Sequence, residues 1–178
     1  MPLCLAPLLL AAGAPQAAPA AAAPVPEVCQ AAPRKAETAT HFYPAEADAR
    51  AAVDAALADA ASGHRTALIV FGADWCHDSR ALARWLTGEA FKARFGARYG
   101  VTFIDVGKPQ TGQGRNLDQV ARFGVRSLKS TPALFAIGAR GKLLNGKRDA
   151  LSWRNADSRG EAALLAWLDA LAAKRAQH

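Results

Sequence analysis

The clearest hydrophobic pattern along the chain is a continuous apolar run that changes into a helical one. Residues 68–71 are β-prone throughout, as a strand buried on both faces requires, and Gly72 interrupts them. Beyond this point the apolar positions recur at helical spacing, at Leu82, Trp85 and Leu86. The pattern over residues 67–82 therefore predicts a strand, a tight turn and a helix, with Cys76 at the start of the helix.

Similar patterns predict helices and strands on both sides of this stretch. Apolar residues at three- and four-residue steps predict an amphipathic helix over residues 44–62, closed by Gly63. Residues 87–95 continue the central helix as a second, kinked piece. Residues 101–106 form the next predicted strand, which should run parallel to the first because a helix lies between them.

The C-terminal half contains a glycine-rich segment, a short helix and a hairpin pattern. Residues 107–114 lack a phosphate-binding pattern and are predicted to be either a connection or a substrate-facing loop. Asn116 is placed to cap a helix that stops at Gly124. Residues 133–137 and 142–144 predict an antiparallel hairpin.

A final amphipathic helix is predicted near the C-terminus. Ser158 and Glu161 have the spacing of a capping box at its start. Its buried stripe consists of Leu164, Leu165, Leu168 and Leu171. Trp153 precedes this helix and covers either the core or a groove, of which the core is the simpler expectation.

Length and composition are those of one folded domain. The chain has 178 residues, of which 51% are hydrophobic, so it can bury a substantial core. Its net charge is +7, but the basic residues are scattered and not gathered in one block. This distribution predicts a solvated basic surface and argues against a nucleic-acid site. The folded domain is predicted to cover residues 44–178.

The N-terminal residues have the pattern of an export signal. An apolar run too short to span a bilayer leads into small residues suitable for cleavage, so residues 1–22 predict a signal peptide and a periplasmic or secreted protein. No Lys or Arg precedes the run, so either the true start lies upstream or the signal is weak. An Ala/Pro-rich flexible lead over residues 23–43 would follow. The alternative is a disordered Ala/Pro tail on a cytosolic protein.

The three cysteines differ in context. Cys4 would be removed with the signal, and neither Cys4 nor Cys29 has the surroundings of a lipid-anchor site, so no stable membrane anchor is expected. Cys29 either pairs with Cys76 or resolves its adducts, as an oxidising compartment favours, or it is an incidental thiol. Cys76, at a helix N-terminus, is favoured as the thiolate, which is the form that attacks disulfides.

The segment around Cys76 carries a family resemblance. A strand, then Trp75-Cys76-His77-Asp78-Ser79, then a helix, with Thr131-Pro132 further along, resembles the thioredoxin superfamily. Ser79 stands where the Cys-x-x-Cys motif has its second cysteine, so the chain resembles the monothiol Cys-x-x-Ser thioredoxin-like proteins. The resemblance covers residues 66–172. It implies an α/β thioredoxin fold with a central mixed sheet of about four to five strands flanked by helices, an N-terminal helix and a disordered lead.

The resemblance also implies catalytic roles. Cys76 would be the nucleophile that forms a mixed disulfide, and Ser79, which cannot form the second S–S bond, would donate a hydrogen bond to the thiolate. A cationic His77 would stabilise the thiolate and Asp78 would oppose it, so the net direction stays open. Redox-active relatives have a buried acid six residues before the cysteine, where this chain has Val70. This difference argues against an efficient reductase.

A substrate-binding surface is implied by the same resemblance. Trp75, Thr131 and Pro132 would border it, because a cis bond at Pro132 would expose the backbone of Thr131 to an extended substrate segment beside the sulfur. The alternative is an ordinary trans proline at the start of an edge strand.

Three functions are compatible with these features. The first is an exported monothiol disulfide oxidoreductase or isomerase that acts through Cys76, and the second is a redox-silent binding or folding-assistance module. The third is a dithiol enzyme that uses Cys29. The expected partners of a monomer are protein thiols or disulfides, with glutathione or another thioredoxin-like reductant as the releasing thiol. No metal or cofactor is expected, because His41 and His64 show no metal-ligand spacing.

Overall fold

A three-stranded mixed sheet forms the centre of the fold in the computed structural model, which describes residues 40–176. The strands in chain order are β1 (Thr66–Gly72), β2 (Tyr99–Asp105), β3 (Gly107–Lys108), β4 (Gln113–Gly114) and β5 (Ala133–Ile137). The middle strand, β1, pairs in parallel with β2, as predicted, and antiparallel with β5. The strand begins two residues before the apolar run and ends one residue after it, at Gly72, and every residue of β1 is buried.

Helices cover both faces of this sheet. They are α1 (Ala49–Ser62), α2 (His77–Thr87), α3 (Glu89–Phe95), α4 (Leu117–Arg122), α5 (Lys147–Ser152) and α6 (Ala156–Ala176). Leu68 and Val70 of β1 belong to the core shared with α2, α3 and α6, whereas Ile69 and Phe71 belong to the core shared with α1, α4 and α5. This alternation follows from the two-residue period of a strand and produces the predicted α/β arrangement.

Three helix starts differ from the predictions. The first helix begins at Ala49, not at residue 44, because the Asp48 side chain accepts a hydrogen bond from the Ala51 N–H at 3.0 Å and caps it there. Asn116 does not cap α4 with its side chain, which donates instead to the Asp105 carbonyl at 2.8 Å. The last helix begins at Ala156, and Gly160, with φ 78°, interrupts it just after Ser158.

The central sheet has three strands among the described residues, fewer than the four to five expected. Residues 142–144 do pair antiparallel with the end of β5, as predicted, through a bridge from Leu143 to Ile137 and a hydrogen bond from the Leu144 N–H to the Ala136 carbonyl at 2.8 Å. This pairing is too short to form a fourth strand of the sheet. The Asn145 side chain takes the place of further pairing: its Oδ1 accepts from the Ala136 N–H and its Nδ2 donates to the Leu134 carbonyl, both at 2.9 Å. Buried backbone groups at this sheet edge are thereby satisfied without another strand.

The predicted loop over residues 107–114 is a small hairpin. Its two strands, β3 and β4, pair antiparallel around a 3-10 turn at Pro109–Thr111. Gly107 has φ 61°, and a Cβ there would lie 2.6 Å from the Gln113 carbonyl oxygen, so only glycine fits the start of this hairpin.

The N-terminal predictions fall largely outside the described residues. The signal peptide over residues 1–22, Cys4, Cys29 and most of the lead over residues 23–43 lie there, and they stay predictions. The described residues belong to one compact unit. Within residues 40–176, no helix is both long enough and apolar enough to cross a membrane.

Candidate active site

Cys76 lies at the N-cap of α2, as predicted. Its N–H donates to the Ala73 carbonyl at 3.1 Å, which closes the tight turn after β1, and its own carbonyl accepts the first helical bond, from the Arg80 N–H, at 3.0 Å. The residue is 7% exposed. The sulfur is therefore carried at the positive end of a helix dipole with a small opening to solvent.

The proline turn lies beside the cysteine at one end of the sheet. The Thr131-Pro132 peptide bond is cis, which confirms that prediction, and the Cys76 Sγ lies 3.5 Å from the Thr131 carbonyl oxygen. Phe71 at the end of β1 pairs with Ala133 at the start of β5, so strand register brings the two segments together. The Thr131 hydroxyl is buried and has no hydrogen-bond partner among the described residues.

Ser79 does not make the predicted hydrogen bond to the Cys76 sulfur. Its side chain is fully buried, and within residues 40–176 its hydroxyl has no hydrogen-bond partner, the Cys76 sulfur included. The Oγ instead lies against Gly72, where an added Cβ would approach it to 2.8 Å. The predicted hydrogen bond from Ser79 to the sulfur is therefore absent from this structure, because the hydroxyl occupies the packed space beneath β1.

The two charged residues of the motif interact with each other and with α6. The His77 imidazole is largely exposed, and its Nε2 lies 3.1 Å from the Asp78 Oδ2. The other carboxylate oxygen of Asp78 accepts from the Asp157 N–H at 2.9 Å, which ties the first turn of α2 to the start of α6. Asp78 thus joins two helices, and the effect of His77 on the thiolate stays a prediction.

Tyr43 packs against the end of β1 and the first turn of α2, a role that could not be recognised from the sequence. Its hydroxyl donates to the Ser79 carbonyl at 3.0 Å, and its ring fills the space that Gly72 leaves, since a Cβ there would lie 2.6 Å from two ring carbons. Burial raises the pKa of Tyr43 above its ordinary value, so the phenol stays neutral and remains a donor.

Asp74 holds the segment that carries Tyr43. Its carboxylate accepts hydrogen bonds from the Phe42 N–H at 3.0 Å and the Tyr43 N–H at 3.4 Å, and it lies 3.3 Å from the His41 Nδ1. The segment before α1 is therefore held by hydrogen bonds to Asp74, which lies in the turn two residues before Cys76. Sequence spacing carries no signal for this contact, because more than 30 residues separate the partners.

An open groove of about 640 Å³ lies beside the motif. Its lining includes Trp75, Asp74, Asp105, Lys108 and Arg115. The Trp75 indole is 45% exposed, and its N–H donates to the Gly107 carbonyl at 2.9 Å, which holds the ring against the β3–β4 hairpin. Of the two readings of residues 107–114, this placement favours a substrate-facing element.

Asp105 is a buried carboxylate in this groove. Its Oδ2 lies 3.1 Å from the Arg115 Nε and accepts from the Gly107 N–H at 3.3 Å. Burial raises the pKa of Asp105, and the Arg115 charge and the Gly107 hydrogen bond only partly offset that effect.

We expect Asp105→Asn to remove a pH-dependent cost to folding. The pKa of Asp105 is raised in the folded state, so the protonated carboxyl is the form that favours folding. Its contribution to the free energy of unfolding is fully present below the unfolded pKa of about 3.9 and is lost as pH rises through the folded pKa. The free energy of unfolding of the variant, relative to the parent, should therefore increase in urea titrations as pH rises above about 4. A difference that does not change with pH would contradict this expectation.

One further position, Val70, limits the chemistry of the site. Val70 is fully buried in the sheet, where redox-active thioredoxin-like proteins would have an acid, so no carboxyl group is available there. Among the described residues, no group of three His, Cys, Asp or Glu side chains could hold a metal ion. His41 and His64 are both exposed, and Trp153 is fully buried in the core.

Comparison with known proteins identifies the family. A family model described as Thioredoxin-like matches residues 48–139, from the cap of α1 to the end of β5. The crystal structure of a disulphide isomerase from Xylella fastidiosa Temecula1 is similar, with 28% sequence identity, a TM-score of 0.65, and coverage of 75% of this chain and 98% of that chain. No match was found among curated proteins. The chain belongs to the thioredoxin-like family, and its mixed sheet flanked by helices is the fold predicted from the motif.

Proposed function

We propose that this chain is an exported protein that takes part in thiol-disulfide exchange through the single cysteine Cys76. The observation that carries the proposal is the position of the Cys76 Sγ, at the N-cap of α2 and 3.5 Å from the carbonyl that precedes the cis proline. The thioredoxin-like family and the similarity to a disulphide isomerase support this type of chemistry. Protein thiols and disulfides are the proposed substrates.

The reaction needs no redox cofactor. The Cys76 thiolate attacks one sulfur of a substrate disulfide, so a Cys76–substrate S–S bond forms as the substrate S–S bond breaks. The departing substrate sulfur leaves as a thiolate and takes up a proton from solvent. An extended substrate segment that pairs with the Thr131 backbone beside Pro132 would hold the attacked sulfur in line.

Release of the adduct must come from a thiol outside the motif. Ser79 has no sulfur, so it cannot displace the substrate. The substrate's own second thiol can attack the mixed disulfide, which regenerates Cys76 and isomerises the substrate, or an external thiol such as glutathione or another thioredoxin-like reductant can do so. The apolar Val70 supports this slower, isomerase-type role over an efficient reductase.

A second candidate function is a redox-silent protein-binding module. The small exposure of Cys76 and the large exposure of Trp75 favour it, because the indole offers a contact surface while the sulfur is nearly closed off. The two candidates differ in whether covalent adducts form.

Mild oxidation of the full-length protein in a periplasmic extract tests whether Cys76 forms covalent adducts, as the exchange function requires, or forms none, as the binding module predicts. We expect mixed disulfides that run as slow bands on non-reducing gels and collapse on reduction, and we expect them to vanish in Cys76→Ala. The Cys29→Ala variant is the matched control and should retain them, since it removes a thiol outside the motif. Equal adducts in the parent and Cys76→Ala would rule out Cys76 as the nucleophile. Adducts that persist longer in Cys29→Ala than in the parent would favour a dithiol enzyme, because Cys29 would then be the thiol that releases them.

A further inference from the structure

We infer that the groove beside Trp75 selects substrates that carry acidic residues next to their reactive cysteine. This inference rests on the proposed exchange function and adds a preference among substrates. The groove is lined by both acidic and basic residues, but the acidic and basic side chains differ in how much of their surface is exposed to solvent.

The acidic groups of the groove are recessed and already partnered. The Asp105 side chain is 9% exposed and is bound by Arg115, and the Asp74 side chain is 23% exposed and is bound by the His41–Tyr43 segment. The Arg115 side chain is 51% exposed, although its charge is shared with Asp105, and Lys108 is exposed and forms no ion pair among the described residues. A partner entering the groove therefore meets positive charge first.

The groove reaches the residue next to the reactive cysteine. Trp75 directly precedes Cys76 and forms part of the groove lining, and Lys108 follows the residue whose carbonyl fixes the indole. We therefore expect a segment that is bound covalently to Cys76 and extends over the Trp75 face to approach Lys108 and Arg115. Trp75 is the one large hydrophobic side chain that is exposed in the described part of the chain, so it supplies the apolar contact.

Charge complementarity then identifies the occupant as an acidic polypeptide segment. Complementary charges at the rim of a binding surface raise the association rate and are weakened by salt. The net charge of +7 acts in the same direction at longer range. The preference should therefore appear in the rate of mixed-disulfide formation and should diminish as ionic strength rises.

Two synthetic peptides test this preference. They differ only in having Asp or Lys on both sides of one cysteine, which is supplied as its 2-thiopyridyl disulfide. Attack by Cys76 forms the Cys76–peptide bond and releases 2-thiopyridone, whose absorbance gives the second-order rate constant. The protein is the full chain with Cys4→Ala and Cys29→Ala, so that Cys76 is its single thiol. We expect the Asp peptide to react about three- to tenfold faster at low salt, and the ratio to approach one at high salt.

Two lysine variants separate the groove from the overall charge. Lys108→Glu and Lys142→Glu make the same charge change on exposed residues, but residue 142 lies near the Ile137 end of β5, at the opposite end of the sheet from Cys76. We expect Lys108→Glu to abolish or reverse the Asp-peptide preference and Lys142→Glu to retain most of it. The rate of each variant with an uncharged peptide is the reference to which its rates with the Asp and Lys peptides are compared.

The outcomes distinguish this inference from the function on which it rests. Equal rates for the two peptides, or equal effects of the two variants, would overturn the groove preference and leave exchange at Cys76 standing. Failure of any peptide to release 2-thiopyridone would overturn the exchange function, and the substrate preference with it.

Discussion

Replacing Ser79 with cysteine should convert a persistent mixed disulfide at Cys76 into a short-lived one. In the parent protein the adduct is released only when a thiol from solution or from the substrate attacks it. Release should therefore be slow, because uncatalysed disulfide rearrangement takes minutes to hours. A sulfur at position 79 would lie on the same first turn of α2 and attack within the molecule. Because an intramolecular thiol acts at a high effective concentration, we expect release at least about 100-fold faster.

The surroundings of Ser79 should tolerate this change. Its hydroxyl is buried without a hydrogen-bond partner in the described part of the chain, which is an unfavourable place for a polar group. A thiol behaves as a small hydrophobic group and removes that penalty. The free energy of unfolding of reduced Ser79→Cys should therefore equal or exceed that of the parent.

Ser79→Ala is the matched control, since it also removes the hydroxyl but adds no sulfur. Mass spectrometry of the Cys76 adduct over time, after excess reagent has been removed, should show persistence in the parent and in Ser79→Ala and rapid loss in Ser79→Cys. If the Ser79→Cys adduct lasts as long as that of Ser79→Ala, the missing second sulfur is not the limiting feature, and the apolar position of Val70 becomes the better explanation.

The parts of the site that lie close in sequence could be predicted from the chain alone. The apolar run, the glycine and the helical spacing after it placed Cys76 at the start of α2, because each of these signals is local. The cis bond at Pro132 came from the family resemblance, and parallel pairing of β1 with β2 followed from the intervening helix. These predictions needed only neighbouring residues or a known motif.

Contacts between distant side chains and backbone could not be predicted in this way. Tyr43 reaches the Ser79 carbonyl and Asp78 reaches the Asp157 N–H across long stretches of sequence, and neither pairing follows from hydrophobic spacing. In the sequence Asn145 resembles an ordinary turn residue. Its side chain nevertheless forms hydrogen bonds with the backbone of β5, in the place where a further strand of the sheet would pair. The groove depends on the same kind of contact, from the Trp75 indole to the Gly107 carbonyl.

Tyr43→Ala should cause the largest loss of stability among single changes near the site. The ring is buried, packs edge-on against Phe103 at 5.4 Å and fills the space beneath Gly72, so its removal leaves a cavity that the β1 backbone cannot close. Removing a large buried aromatic side chain typically costs about 3–5 kcal/mol. That is a large part of the roughly 5–15 kcal/mol by which domains are usually stable.

Tyr43→Phe separates the packing of the ring from the hydrogen bond of its hydroxyl. It keeps the ring but removes the donor to the Ser79 carbonyl, which should cost about 0.5–1.5 kcal/mol. Urea titrations of the parent and both variants would measure these losses, and the rate of 2-thiopyridone release from Tyr43→Phe would show whether the same hydrogen bond also orients the first turn of α2. Because Asp74 holds the Tyr43 backbone in either variant, a loss in Tyr43→Phe as large as that in Tyr43→Ala would mean that the hydroxyl, and not the ring, supports the motif.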